Sequence, residues 1–516
     1  MSVLPTILLG ASVFLSVAFF IYGFNAIHLT LRSRKYKEPF AEEGRKPRVA
    51  IHLPIYNELY VVERLVDSCI RVAENYGRML VRVLIIDDST DETSAEVDRL
   101  VKRYSLLGYS IGVLRRGNRV GFKAGALQAA LTESDEELIA VFDADFVPSP
   151  DFLSKAVPFL CANPKVGFVQ ARWGHFNRGY NAVTKALAIG SDAHFFVEQP
   201  GRWESSYLMN FNGSAGVLRR EAIMKAGGWE ADTLAEDLDV SYRMQLAGYR
   251  AVYLRDLVVP AELPPTITAL KRQQGRWARG SIQTLKKLGP RLFRSKDLSA
   301  KQKVEAGIHL SYYAVHPFMV VSFLIASIAA LSNTDVIKIG VANPISGLGS
   351  SGSNAGNLLL DLLYASPWIA FFILIVVCTV AVLFYGVEAL RDQEMSVVRN
   401  IPTLIVLVAI GYGISISNSV SVFSGLFLNS TGSFARTPKY AITKRVDDWK
   451  GKKYQIHFER TTLLEGTAVL LGAAAVVWAA LDGNLGIVPI LMVYLLSYFV
   501  VFALTLRHTI NTRVPA

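Results

Sequence analysis

The sequence predicts an α/β domain with a Rossmann-like parallel sheet, set among membrane-crossing helices. Three observations carry that expectation. Short apolar runs alternate with helical patterns between residues 49 and 142, and polar or acidic residues follow most of the runs. Apolar blocks of membrane-spanning length flank this region on both sides. Between the domain and the later blocks stands Gln273-Gln274-Gly275-Arg276-Trp277, which puts an amide, a guanidinium and an indole on about one helical turn.

At 516 residues the chain exceeds one ordinary domain. It is 51% hydrophobic and 19% charged, with a mean hydropathy of +0.31, which does not suit a purely soluble protein. The first block, Leu4–Leu31, contains no Lys, Arg, Asp or Glu. It lacks a basic start and a small-residue cleavage site, so it reads as a first span and not a signal peptide. Arg32, Arg34, Lys35 and Lys37 follow it and, by the positive-inside rule, put the next segment in the cytosol. Further blocks run over His309–Leu331, Ser366–Val387, Ile401–Leu428, Leu464–Leu481 and Ile487–Leu506. Each is about long enough for a ~30 Å hydrocarbon core. The expected partner is therefore a lipid bilayer. The net charge of +11 reflects basic edges at Arg32–Lys37, Lys271–Lys287 and Lys439–Lys453, without the aromatic interleaving of a nucleic-acid site, so no nucleic-acid partner is expected. Cys69, Cys161 and Cys378 are widely spaced, fit no metal pattern and read as reduced and structural.

Within the soluble island Ser33–Leu310, strands are expected at Val49–Leu53, Val81–Ile86, Ile111–Leu114 and Leu138–Phe142. Helices are expected at Asn57–Cys69, Ser94–Tyr104 and Lys123–Leu131. Continuous apolar strands separated by helices indicate a parallel sheet covered on both faces. In such sheets ligands bind beyond the carboxyl ends of the strands. Pro264–Phe293 mixes Ile267, Leu270, Trp277 and Ile282 with Lys271, Arg272, Arg276 and Arg279, which fits an amphipathic helix at the membrane interface. A surface helix packed on the soluble domain satisfies the same pattern. Gly347–Asn357 reads as an external loop.

The polar strings fall at the strand ends. Asp143-Ala144-Asp145 follows the fourth strand, where two carboxylates in a turn can share Mg²⁺ or Mn²⁺. Asp87-Asp88-Ser89-Thr90-Asp91 ends the second; it can cap the next helix, and an acid there can also accept hydrogen bonds from a base or ribose. Tyr56 and Glu58 occupy the equivalent place after the first strand. Lys123, between Gly121 and Gly125 at a helix start, offers an anion seat but not a Walker loop. Glu236-Asp237, with Asp239, can supply a base or merely cap the helix Leu238–Leu246. Asn212-Gly213, in Phe211–Gly216, lets backbone approach an acceptor closely. An arginine fork suits a pyrophosphate and an indole suits a sugar face, which gives Gln273–Trp277 its interest. His52, His175, His194 and His316 have no ligand spacing and read as structural.

Taken in order, Leu84–Asp91, Gly121–Leu127, Val141–Pro148, Phe211–Val217, Ala235–Asp239 and Gln273–Trp277 resemble the motifs of processive family 2 glycosyltransferases. The nearest look is to the cellulose-synthase-like family A mannan and glucomannan synthases and bacterial relatives of cellulose synthase. Phe434–Lys439 is similar to the gating loop of those enzymes. The resemblance implies a GT-A-type fold and an inverting transfer of hexosyl units from a nucleotide sugar to a growing β-linked polysaccharide, with export of the product. It implies that Asp143 and Asp145 hold Mg²⁺ or Mn²⁺, with Asp145 the direct ligand. Tyr56, Glu58, Asp87, Asp88, Lys123, Asp143, Gln273 and Arg276 would contact the nucleotide sugar. Asp237 would be the general base. Asn212, Gly213 and Trp277 would meet the acceptor, and Phe434, Thr437 and Lys439 would close over the donor. Ala235 stands where the family has threonine, a position outside the chemistry.

The resulting organisation is a first span at 1–31, a cytosolic transferase domain at 32–263 and interfacial helices at 264–305. Spans with a re-entrant segment follow at 306–428, then a gating segment at 429–455 and final spans at 456–516. The re-entrant expectation rests on Gly411, Gly413, Ser415, Ser417, Asn418, Ser419 and Ser421, which are polar for a lipid-facing helix. It keeps the gating segment on the cytosolic side. The membrane would be the plasma membrane of a prokaryote or the Golgi of a eukaryote. The donor favoured by the resemblance is GDP-mannose, with UDP-glucose or GDP-glucose next. A non-processive transferase with a lipid acceptor is the alternative enzyme. A transporter leaves the acidic domain unexplained.

Overall fold

The computed structural model describes residues 3–332, 383–428, 436–456 and 459–510. Gly347–Asn357, Cys378, Phe434 and most of the block Ser366–Val387 lie outside the described residues. Seven strands form one sheet: β1 Val49–Ile55, β2 Val81–Asp87, β3 Ile111–Leu114, β4 Leu138–Val141, β5 Val166–His175, β6 Gly216–Arg219 and β7 Arg250–Ala261. Their order is β3-β2-β1-β4-β6-β5-β7. The four expected strands pair in parallel. β6 runs antiparallel to both β4 and β5, so the whole sheet is mixed and not parallel. Because it enters from the carboxyl end of β4, the loop before it, Asn212–Ser214, lies beside Asp143; the Ala215 amide donates to the Val141 carbonyl at 3.0 Å.

Both faces of the sheet are buried, which is why β1, β2 and β4 read as unbroken apolar runs. Val49, Ile51, Leu53, Val83 and Ile85 pack with Val62, Leu65, Val66 and Cys69 on one face. Ala50, Ile139, Val141 and Leu218 pack with Leu127, Leu131, Val240 and Met244 on the other. Cys69 is buried and unpaired, as expected.

Among the described residues four helices are long and apolar enough to cross a membrane: Gly10–Ser33, Ala300–Leu331, Thr461–Leu481 and Val488–Thr509. Phe14, Phe24, Leu463 and Leu470 on them stay exposed, a large apolar surface of the kind that marks a membrane contact. Helices Val397–Gly413 and Ser415–Phe427 form one more apolar stretch, bent by 44°. The polar residues that set this segment apart turn inward. Ser415, Ser417, Asn418 and Ser419 are buried, with Asn418 meeting His316 at 3.0 Å and Ser415 meeting Tyr498 at 3.1 Å. The segment also lies along the helix Ile267–Arg294, close enough that a Cβ on Gly425 would come within 2.8 Å of the Arg279 carbonyl oxygen.

Candidate active site

The ends of β1 and β2 form an acid-rich shelf, braced by arginines. Asp87 is buried and accepts from Arg115 Nε at 2.9 Å and from the Ser89 amide at 3.0 Å. Asp88 accepts from both faces of the Arg116 fork, at 3.0 Å from Nε. The Arg119 guanidinium stacks 3.3 Å from the Tyr56 ring centroid. Asn57, at a φ of 55°, donates its backbone amide to Ser89 Oγ at 2.9 Å, which ties the two strand ends together. Glu58 pairs with Arg436 at 3.0 Å. Burial, only partly offset by Arg436 and Lys439, pushes its carboxyl up to about 8.

Lys123 ties the third group of motifs into one knot. It sits in the first turn of the helix Phe122–Glu133, which aims its amine at the end of β4. There it meets Asp143 Oδ1 at 2.5 Å, the Gly213 carbonyl at 2.9 Å and Glu236 at 3.6 Å. Burial opposes its charge, but Asp143, Glu236 and Asp237 hold its pKa above the ordinary lysine value. Asp237, at the start of the helix Glu236–Leu246, accepts the Leu238 amide at 2.8 Å. Burial, then repulsion from Glu236, raises its carboxyl to about 7, against the pull of Lys123. A carboxylate balanced near neutral pH suits a general base. Gly213 has a φ of +78°, and a Cβ there would lie 2.5 Å from Asp237 Oδ2 and 3.2 Å from Lys123 Nζ. Only glycine fits both the backbone and the space.

Asp145 lies at the centre of a third cluster. It is buried, and its Oδ2 accepts from Lys439 Nζ at 2.7 Å and from the Glu262 amide at 3.0 Å. Lys439 also donates to the Glu262 carbonyl at 3.2 Å, and the Tyr440 amide donates to Glu262 Oε1 at 3.0 Å. Burial raises Glu262 to about 7 despite Lys439. The expected gating segment thus docks on the carboxyl end of the sheet. Arg436 reaches Glu58, Lys439 reaches Asp145 and Tyr454 reaches Asp91, while Thr437 is buried with its hydroxyl unpartnered. Asp143 and Asp145 offer hard oxygen donors that suit Mg²⁺ or Mn²⁺, and the ammonium of Lys439 occupies a cation's place on Asp145. Another acidic group, Glu230, Asp232 and Asp239, brings ligand atoms within 4.8 Å of one another, but Lys287 pairs with all three.

The helix Ile267–Arg294 carries Gln273, Arg276 and Trp277, each half-buried, and packs further along against the residues just before Asp237. A Cβ on Gly280 would lie 2.6 Å from the Ala235 amide nitrogen, and Gln283 accepts the Leu234 amide at 2.9 Å. Gly280 follows Arg276 and Trp277 by four and three residues, so all three share one helix face. Asn212 is held more firmly than its sequence suggests. Gln199 donates to its Oδ1 at 2.9 Å, Gln170 accepts its backbone amide at 2.8 Å and His194 meets its Nδ2 at 3.0 Å. His194 belongs to a π-helical turn, His194–Glu198, and bonds Glu198 at 2.7 Å.

A Glycosyl transferase family group 2 profile matches residues 138–387. Residues 138–387 are thus similar to glycosyl transferase family group 2. Relatives of this chain include glucomannan 4-beta-mannosyltransferase 7 of Arabidopsis thaliana, 34% identical over 332 residues, 61% of this chain and 58% of that one. Probable glucomannan 4-beta-mannosyltransferase 1 of the same plant is 38% identical over 279 residues, covering 53% and 49% of the two chains. The chain spans about half the length of the curated relatives it matches. Among solved structures it is similar to a mannosyltransferase of Pyrobaculum calidifontis in complex with GDP-Man and Mn2+, at 21% identity and a TM-score of 0.49, with 75% of this chain and 100% of that chain covered.

The candidate site also includes residues that the motifs alone did not single out. Arg115, Arg116 and Arg119 follow β3, and the strand-end rule that found the acids would have found them too. Glu262 directly follows β7, a strand not among those expected. Gln170 lies inside an apolar strand, His194 and Gln199 flank the short run Phe195–Val197, and only the fold brings them to Asn212.

Proposed function

We propose that the protein is a membrane-embedded, inverting β-glycan synthase that transfers hexosyl units from a nucleotide sugar, GDP-mannose first, to a growing polysaccharide. The observation that carries this reading is the Lys123 knot: Asp143, the Gly213 carbonyl and Glu236 meet one amine at 2.5, 2.9 and 3.6 Å, with the Asp237 carboxyl against Gly213. Asp237 takes the proton from an acceptor hydroxyl, the freed oxygen attacks the anomeric carbon, and the bond to the nucleoside diphosphate breaks in the same step. The configuration inverts and no covalent intermediate forms. Asp143 and Asp145 would hold Mg²⁺ or Mn²⁺, which supplies charge neutralisation to the diphosphate. Tyr56, Glu58, Asp87 and Asp88 would line the nucleoside end. Gln273 and Arg276 would receive the leaving group, and Trp277, with Asn212 and Gly213, the acceptor sugar. The mannosyltransferase names of the relatives support mannose over glucose.

Catalysis on the cytosolic side fits basic residues after the first span and the docking of the gating segment on the same face as the acids. The bent pair Val397–Gly413 and Ser415–Phe427, packed on the helix that carries Trp277, supports a re-entrant path and about five crossings. Membranes given radiolabelled GDP-mannose, UDP-glucose or GDP-glucose with Mn²⁺ test the function. Label from GDP-mannose in a polymer that a β-mannanase digests is expected, and Asp237→Asn should abolish it while donor binding persists. Label confined to a lipid fraction would replace the polymer acceptor with a lipid one. No label from any donor would end the transferase reading.

A further inference from the structure

A cleft of about 440 Å³ opens at the end of the first spanning helix, lined by His28, Arg32, Ser205, Tyr207, Lys301 and Gln302 among others. Among the described residues no acidic side chain lines it. The Arg32 guanidinium is fixed there, donating to Ser205 Oγ at 3.2 Å and to the Glu204 carbonyl. Tyr207 meets His28 at 3.1 Å, and Gln302 donates to the Ser206 carbonyl at 2.8 Å, so the walls are built and not merely adjacent. Lys301 is exposed and has no ion pair or hydrogen bond among the described residues. Two permanent cations without an acid, at the edge of an apolar helix, favour an anion that the membrane surface itself supplies. Phe24, Ile27 and Leu31, exposed on the same helix, provide the apolar flank along which acyl chains can run.

We propose that this cleft binds the phosphate of an anionic phospholipid from the leaflet that the catalytic domain faces. Arg32 and Lys301 pair with the phosphate, Ser205 supplies a hydroxyl donor, and the acyl chains lie against Phe24, Ile27 and Leu31. The site also joins elements that hold the acceptor loop. Gln199, on the helix that ends at Glu204, donates to Asn212 at 2.9 Å, and Glu305, on the helix that begins beside Lys301, accepts from Arg202 at 2.8 Å. A bound lipid therefore braces the supports of Asn212.

The inference needs only that Gly10–Ser33 crosses a membrane; it is independent of the transfer chemistry. The test uses the purified full chain in phosphatidylcholine nanodiscs with or without phosphatidylglycerol, read by thermal melting and by lipid counts in native mass spectrometry. Phosphatidylglycerol should raise the melting temperature, Lys301→Ala should weaken its retention about fivefold, and Lys301→Arg should restore it. Equal retention by wild type and Lys301→Ala would overturn the proposal. So would equal protection by inorganic phosphate in phosphatidylcholine-only discs, which would make the ligand a free anion. A wild-type protein that retains no phosphatidylglycerol but still transfers mannose fails this inference alone, and one that retains the lipid without transfer fails the transferase reading alone.

Discussion

Gly213→Ala is the substitution that most directly tests how the base is held. The added Cβ would stand 2.5 Å from Asp237 Oδ2, whereas about 3.3 Å is an ordinary carbon–oxygen approach. The carboxyl or the loop must therefore move by roughly 0.8 Å. Moving the loop is costly, because the backbone at Gly213 is left-handed, with a φ of +78°, and a side chain there costs about 1–2 kcal/mol. Ser214 and Ala215 also anchor it to β4, at 3.0 Å each to Asp143 and Val141. The softer response is a shift of the Asp237 side chain, which rotates on a helix terminus. A misplacement of about 1 Å between reacting groups costs on the order of a hundredfold in rate.

The expected result is thus a fall in kcat of about a hundredfold with the protein still folded and inserted. Initial rates of sugar transfer from GDP-mannose measure it, with donor binding followed in parallel by titration calorimetry. Asp237→Asn sets the floor, since a general base contributes about 10²–10⁴-fold. A Gly213→Ala variant within twofold of the wild-type kcat would refute the reasoning, because the base would then not depend on the space that glycine leaves.

Three further outcomes follow from the same geometry. With Asp237 raised to about 7 by burial and Glu236, the acid form predominates below neutrality and cannot accept a proton. kcat/KM should therefore fall about tenfold per pH unit below ~7, and a profile flat down to pH 5.5 would exclude Asp237 as base. Lys439→Ala removes the ammonium 2.7 Å from Asp145; since a charged hydrogen bond is worth about 1.5–3 kcal/mol, Mn²⁺ affinity without donor should rise tenfold or more in calorimetry, and unchanged affinity would show that Lys439 does not compete. Gly280→Ala would normally stabilise a helix by about 1 kcal/mol, but its Cβ would meet Ala235 at 2.6–2.7 Å. A lower melting temperature and a lower kcat are expected together, and a gain in stability would contradict the close helix-to-loop contact.

How far the sequence reaches is set by which forces leave a local trace. β1, β2 and β4 are buried on both faces, so their runs are unbroken, and β2 and β4 lead directly into acids. β5 carries Gln170, Arg172 and His175, β7 carries Arg255 and Asp256, and β6 is four residues long, so none of the three shows a clean period. The helix expected from Asn57 begins at Val62, because Asn57 is spent holding Ser89 and Thr90. In the site, the acids were legible because strand ends mark where ligands bind. Their partners were not. Arg115, Arg116 and Arg119 stand at a strand end as well, but only the fold pairs them with Asp87, Asp88 and Tyr56.

Lys439 reaches Asp145 across 294 positions of sequence, and no spacing rule covers such a distance. That pairing also changes what the gating segment does. Arg436 and Lys439 neutralise Glu58 and Asp145 from the segment itself, so the closed segment covers the site with its own cations. A donor diphosphate needs those same cations, and a metal needs the carboxylate that Lys439 holds. On the proposed function, binding of the donor would exchange one set of partners for another, and Arg436 and Lys439 would pass from carboxylate to phosphate without being left bare in the interior. Leaving either charge unpaired there would be costly. On that reading the segment would have two docked states, the one seen on the acids and one on the donor.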